Sequence, residues 1–480
     1  MPAHGQPTAR RPRPVPIVTA VLAVAGAVQV ALGLYWWLGN QVAVPEYGDT
    51  TEYLAQAQSF ALDGYRTLAY PLLVRGALEL GALLHVPWTV LLYQVQLAAW
   101  AAAAWYLVRT VAPRGARLRV LACTAVVVTV PLPLHYAAVV LTDSLALSTL
   151  VVVVSAVARI AARDRLDLRT LTVLVLGVAA AVFVRPDRLY VTVAIAAGAA
   201  LVVALRTRRR ARVRLTGRRA LLVAGVLLAA VALPGLATTA LNRSTQTADL
   251  GRSTPTPVGA LFQRVAGLHV EEIRDLVPPD VAAAFPPPGA DRWAVASALS
   301  AAGGDAYLLA GVRATLDCCA GAVVSQSARD VAHGVGGPYQ IASDWVTGSN
   351  GSSNWDFTRM AQHRPHASAA VMAWSVASAV VLAAASVTAV LEVRRRRDDP
   401  GVAGVTAVLV GSCVVVAAFF GLTTSSIPNP RYTLISQAVA WALPLGVLLV
   451  PVPGRRAAGD APAGDDAPAG DDAPEAAVPA

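Results

Sequence analysis

The sequence predicts an α-helical polytopic membrane protein of about ten transmembrane helices with a mixed external segment, on three observations. The first is composition. Of 480 residues, 56% are hydrophobic and 14% charged, and the mean hydropathy is +0.55. A soluble domain carries roughly a quarter charged residues, so an ordinary water-soluble enzyme and a disordered chain are both excluded. The second is a series of Ala-, Val- and Leu-rich runs that reach the roughly 20 residues a bilayer core requires. The third is the placement of Arg. The net charge of +10 is carried by Arg, since the chain contains no Lys, and the Arg residues cluster between apolar runs.

Single spans are expected at 17–38, 87–108, 219–240, 368–392, 402–421 and 432–452. The runs 120–158 and 170–205 are too long for one pass. Each is broken near its middle, by Pro131, Leu132 and Pro133 and by Arg185, Pro186 and Asp187. Proline removes a helical hydrogen bond, so each run reads as a hairpin of two helices. The Arg clusters are Arg10, Arg11 and Arg13; Arg109, Arg114, Arg117 and Arg119; Arg159, Arg163, Arg165 and Arg169; Arg206 through Arg219; Arg394 to Arg397; and Arg455 and Arg456. With a cytoplasmic N-terminus (1–16), this set of spans leaves every cluster in the cytoplasm, as the positive-inside rule requires. Both termini are then cytoplasmic in a multi-pass cell-membrane protein. The Arg residues have a topological role, so nucleic acid is not an expected partner. The first span is too long and lacks a cleavage site for a signal peptide; a Tyr35, Trp36, Trp37 belt closes it.

The segment 68–84 is moderately apolar but holds Arg75 and Glu79, an i,i+4 pair on a helix surface. If it crossed the membrane, all later Arg clusters would change side. It is therefore expected at the outer interface as an amphipathic helix. The domain plan is a transmembrane core over 17–240 with an external first loop at 39–86, a large external segment at 241–367, further spans over 368–452, and a tail at 453–480. The tail repeats Ala-Gly-Asp-Asp-Ala-Pro and is expected to be disordered. The segment 241–367 carries Pro286–Pro288, a Gly336-Gly337-Pro338 run, and a helical stripe at Leu309, Val312, Leu316, Cys319 and Val323. Arg313 and Asp317 within that stripe argue against a span. The four cysteines (Cys123, Cys318, Cys319, Cys413) show no metal-ligand spacing and no disulfide framework. Adjacent Cys318 and Cys319 are expected to be two small helix-core residues rather than a vicinal disulfide. Asn242 and Asn350 stand in glycosylation sequons.

Several residues could carry chemistry. Gly48-Asp49-Thr50-Thr51-Glu52-Tyr53-Leu54 follows the first span on the outer side, where a helix should start with Tyr53 and Ala57 on one face. Asp49 can be the N-cap, with Glu52 completing a capping box. It can equally be a base held at the membrane surface, and the two roles are compatible. Asp143, in Thr142-Asp143-Ser144, lies near the outer end of the fourth span. It either faces a cavity or reaches interfacial water. Arg185-Pro186-Asp187-Arg188 closes the fifth span and Arg431-Tyr432 opens the last, both on the outer side. These Arg residues run against the topological bias. A guanidinium fork bound to an anionic headgroup would explain them, as would a local Arg185–Asp187 pair and an interface anchor at Arg431 and Tyr432. Asp356, His363 and His366 end the large loop without a metal-ligand spacing.

Taken in order, these motifs resemble the polytopic glycosyltransferases of the GT-C superfamily, the class that includes protein mannosyltransferases and aminoarabinose transferases. The matching elements are Asp49 with Tyr53-Leu54, the Tyr70-Pro71 pair, Thr142-Asp143-Ser144, Arg185-Pro186 and Arg431-Tyr432. The resemblance covers 40–205 and part of 422–450. It implies transfer of a sugar, hexosyl or pentosyl, from a polyprenyl-phosphate donor to a hydroxyl of a glycan, lipid or protein acceptor at the outer face, with inversion expected. It implies Asp49 as the base, Arg185 and Arg431 at the carrier phosphate, and Tyr53, Asp143, Asp187 and Tyr432 in the substrate site. No cofactor is demanded. A divalent metal is compatible with this class, although many of its members carry a second acidic residue beside the first-loop Asp, where this chain has Gly48 and Thr50. The chemistry itself asks for a base at the acceptor and charge stabilisation for the departing phosphate. Two other functions fit a chain of this kind. A lipid or solute transporter or flippase would favour internal repeats and midplane charges, which this sequence lacks. The other is a non-catalytic scaffold for cell-envelope assembly.

Overall fold

The computed structural model describes residues 16–39, 43, 48–59, 69–111, 117–163, 167–185, 195, 257–347, 368–396 and 400–423. The N-terminal part contains α1 (Pro16–Gly39), α2 (Gly48–Ser59), α3 (Ala69–Leu84), α4 (Trp88–Val111), α5 (Arg117–Val128), α6 (Pro131–Ala137), α7 (Asp143–Arg163) and α8 (Leu168–Val184). The remainder contains α9 (Pro257–Val265), α10 (Val270–Ile273), α11 (Pro279–Ala282), the long tract α12 (Arg292–Thr347), α13 (Ser368–Arg395) and α14 (Pro400–Thr423).

The chain is a helical membrane protein. Among the described residues, five helices are long and apolar enough to cross a bilayer, or six if the bent pair α5–α6 counts as one span. That is fewer than the expected ten or so. The runs 219–240 and 432–452 lie outside the described residues, and so does most of the second leg of 170–205. The helix α8 and the apolar part of α14 are shorter than a full span. Apolar side chains stand exposed on the outside of the bundle: Val21, Val24 and Val28 on α1, and Met372, Val376 and Val380 on α13. Such a continuous apolar surface would be a liability in water and is what acyl chains require.

At the centre is α7, 72% of whose spanning stretch is buried. It packs against α4, α8 and α14. Its sequence explains the position: Leu147, Val151, Val153, Ser155 and Ala156 point to different sides of it and all are buried, and a helix without a charged face belongs inside. The helix α1 packs along α13, where the Trp36 and Trp374 rings meet at 6.0 Å. The segment 68–84 forms the amphipathic helix α3, with Tyr70, Pro71, Val74, Ala77 and Gly81 on its buried face and an Arg75 Nε–Glu79 Oε1 pair at 2.7 Å on its exposed one.

Over 120–158, where a hairpin of two helices was expected, the chain forms the bent pair α5–α6 followed by the full-length α7. The chain bends by 71° between α5 and α6. Pro131 then occupies the first turn of α6, where its missing N–H has no helical partner to lose. All seven residues of α6 are buried, and so are Ala138 to Thr142. Non-helical backbone at this depth must be satisfied by protein groups. Side chains from four helices do so. Gln29 Nε2 donates to Val126 O at 2.7 Å, and Trp100 Nε1 donates to Val128 O at 3.1 Å. Trp374 Nε1 donates to Thr129 O at 2.9 Å, and Thr50 Oγ1 donates to Val140 O at 2.9 Å. The bend is also close-packed: a Cβ at Gly33 of α1 would lie 2.6 Å from Thr129 Cβ, so only glycine allows this approach.

The large segment departs from expectation in three respects. First, the described part, 257–347, is helical where a mixed segment was expected. Its helices enclose a core of their own around Phe262, Ile273, Val281, Phe285, Leu299 and Leu308. The tract α12 breaks at Gly304 (φ 61°, ψ −147°), a conformation open to glycine and costly for other residues. The break lets Leu299 before it and Leu308 after it share that core. Second, Arg292–Val331 reaches the length and hydropathy of a membrane span although it contains Arg313 and Asp317. It packs against α13 and α14. Third, Cys318 and Cys319 are joined by a disulfide, where two separate helix-core residues were expected. Cys319 accordingly leaves helical geometry (φ −132°, ψ 19°).

Candidate functional site

The motif residues that lie far apart in sequence meet around the N-terminus of α7. Asp143 is the first residue of α7, where the helix dipole favours a carboxylate. Its side chain is 1% exposed, so it does not reach interfacial water. It accepts a hydrogen bond from Arg185 Nη1 at 2.8 Å, across 42 residues of sequence. Arg185 is the C-cap of α8, in extended backbone geometry, and its side chain is 16% exposed. This ion pair ties the end of α8 to the start of α7. The local partner weighed from sequence, Asp187, lies outside the described residues, as do Arg431, Tyr432, Asp356, His363 and His366.

The helix α2 is fastened to the same place. Thr50 Oγ1 is bonded to Val140 O, and the Tyr53 hydroxyl lies 3.2 Å from Thr142 Oγ1. Both contacts are to the residues that lead into Asp143. The helix begins at Gly48, so Asp49 sits inside the first turn rather than ahead of it as the N-cap. The bond from its neighbour Thr50 holds the backbone at Asp49 beside the 140–142 segment. Tyr53 and Ala57 share the buried face, as expected from their spacing.

A third layer comes from α3 and α4. The Tyr70 and Tyr53 rings meet edge to face, 4.9 Å between centroids. The Tyr70 hydroxyl donates to Gln96 Oε1 at 2.9 Å. Burial, reinforced by Tyr53 and the Asp143 charge, holds the Tyr70 phenol well above its ordinary range, which keeps it a proton donor. Gln96 Nε2 in turn donates to Ala137 O at 2.8 Å and Val139 O at 2.9 Å. A single amide thus uses its acceptor and its donors to join α3, α4 and the chain leading into α7. Gln96 was missed in the sequence reading, as were Thr50 as an anchor and the tryptophans that hold the bend. The available signal was a lone amide inside an apolar span, a residue that hydrogen-bonds across helices when it is buried.

Gln96→Leu removes all three bonds at once. Each buried group left unpaired costs about 1–3 kcal/mol. The variant is expected to unfold at clearly lower temperature in detergent micelles, and an unchanged Tm would remove Gln96 from this role.

Chemically, the cluster offers a buried acid–guanidinium pair, a phenol kept protonated, and a helix start carrying Asp49, all on elements that enter from one end of the bundle. Among the described residues no group of three or more His, Cys, Asp and Glu side chains converges on a metal position. Comparison of the chain with family models, with curated proteins and with solved structures finds no match.

Proposed function

We propose that the protein is a membrane glycosyltransferase that moves a sugar from a polyprenyl-phosphate donor to an acceptor hydroxyl at the outer face. The observation that carries this is the convergence of four separate motif segments, at Thr50–Tyr53, Tyr70, Thr142–Asp143 and Arg185, on one hydrogen-bonded cluster. Sugar transfer has two needs that such a cluster can serve. A base takes the acceptor proton as the acceptor oxygen bonds to the anomeric carbon, and positive charge receives the phosphate as its bond to that carbon breaks. Asp49 takes the first role. The second falls to Arg185 with Arg431. The Asp143–Arg185 pair carries no net charge, so the phosphate requires the second guanidinium. In this scheme Asp143 orients the Arg185 fork, and Tyr53, Asp187 and Tyr432 complete the substrate site. The acceptor is a glycan, a lipid or a protein.

The topology that places this chemistry outside has about ten spans, both termini in the cytoplasm, and the segments 39–86 and 241–367 exposed. Single cysteines at Phe60 and Asn350 are expected to react with an impermeant maleimide on intact cells. Labelling at 350 only after permeabilisation would overturn this arrangement.

The enzymatic proposal is tested by purified full-length protein given a radiolabelled polyprenyl-phosphate sugar and a lipid or glycan acceptor. Labelled product with release of the polyprenyl phosphate is the expected result. Movement of the donor across a vesicle bilayer without its consumption would instead mark a flippase, and neither event would leave a scaffold.

A further inference from the structure

We propose that Cys318–Cys319 is a redox-responsive site, opened by a dithiol reductant, that sets whether the later part of α12 remains clasped to α9. The inference is independent of sugar transfer. It starts from geometry. Adjacent helical residues project about 100° apart around the axis, so their sulfurs cannot bond unless one residue leaves the helix. Cys319 does leave it (φ −132°, ψ 19°), while the tract continues as helix on both sides. The disulfide and the break are therefore one feature.

Beyond the break, the chain turns back onto α9. Arg264 Nη1 of α9 pairs with Asp330 Oδ2 at 2.5 Å, and Nη2 donates to Ser327 Oγ at 2.9 Å. Gln326 Nε2 supports Asp330 Oδ1 at 2.8 Å. The Arg264 and Asp330 side chains are only 3% and 8% exposed. Ser327 and Asp330 sit at the end of a lever of roughly 12–16 Å of helix counted from Cys319. A change of direction at Cys319 therefore displaces them by more than a hydrogen bond can follow. Before the break, Leu308, Val312 and Ala314 are fixed in the core around Phe262. The joint thus lies between a fixed half and a clasped half.

The step balances as thiol–disulfide exchange. A thiolate of the reductant attacks one sulfur and forms a mixed disulfide. Its second thiol displaces that sulfur, so the reductant leaves as a cyclic disulfide and the protein gains two thiols. Cys318 is exposed and Cys319 half-buried, which gives the attacking thiolate a path. Once reduced, Cys319 is free to adopt helical geometry between Leu316 and Ala320, both good helix formers. The tract then runs on without the break, and the clasp to Arg264 is lost.

The test uses the purified full-length protein with and without dithiothreitol, alkylated with iodoacetamide and analysed by mass spectrometry, alongside amide hydrogen exchange over 320–331. Without reductant the 318–319 peptide should carry no adduct; with it, two. Reduction should speed exchange across 320–331 several-fold while leaving the Phe262 core unchanged. Arg264→Gln, with the disulfide intact, should speed the same amides, which separates the clasp from the cysteines. Alkylation of Cys318 or Cys319 without reductant would overturn the proposal. So would equal exchange in the oxidised and reduced protein, or protection that survives Arg264→Gln.

Discussion

Asp49→Asn is expected to lower sugar transfer by about 10²–10⁴-fold, the contribution typical of a positioned general base, while the protein remains inserted and folded. Asn keeps the size and the local hydrogen-bonding capacity of Asp at a helix start. What it loses is the charge that would accept the acceptor proton, together with an interaction with the helix dipole worth about 0.3–1 kcal/mol. The anchors of α2, Thr50 to Val140 O and Tyr53 to Thr142, are untouched. Activity and stability should therefore part company: turnover collapses and the size-exclusion profile does not change. Wild-type turnover in the variant would remove Asp49 from the mechanism.

Arg185→Ala is expected to destabilise the protein by about 3–5 kcal/mol, because it removes the guanidinium paired with a buried carboxylate, Asp143. That carboxylate is 1% exposed and its salt bridge is to Arg185. Asp143→Asn combined with Arg185→Gln leaves no unpaired charge and should recover much of the loss. Thermal unfolding of the wild type, both single variants and the double variant in the same micelles gives the coupling directly. A double variant no more stable than Arg185→Ala would show that the pair is not the source of the effect. Donor affinity separates structural from functional roles at the two guanidinium sites. Arg431→Ala should weaken donor binding through lost charge-assisted hydrogen bonds of about 1.5–3 kcal/mol each, and unchanged affinity in both Arg185→Ala and Arg431→Ala would leave only an anchoring role.

What the sequence made legible was of two kinds. Hydropathy located α1, α4, α7 and α13, because a bilayer imposes a length that composition alone reveals. Local pairs were also readable: the Arg75–Glu79 spacing of α3 became an ion pair. The motif residues Tyr53, Tyr70, Thr142, Asp143 and Arg185 were singled out, but not their connections. Nothing near Arg185 indicates that it pairs with Asp143, 42 residues away. That pair forms when α7 and α8 pack, which one-dimensional spacing does not record. Gln96 escaped notice for the same reason, as a polar residue whose three partners belong to other elements. The two-step bend at α5–α6 was read as a simple break because prolines mark an interruption without giving its angle. Arg313 and Asp317 were read as excluding a span, although the length and hydropathy of the stretch around them allow one.

The most direct measurement is the position of the carrier phosphate in a structure of the full-length protein with polyprenyl phosphate bound. Phosphate density is expected between Arg185 and Arg431 at the outer end of the bundle, within reach of the N-terminus of α7 and facing the start of α2. A phosphate bound on the cytoplasmic side, or one that contacts neither guanidinium, would contradict the proposed site.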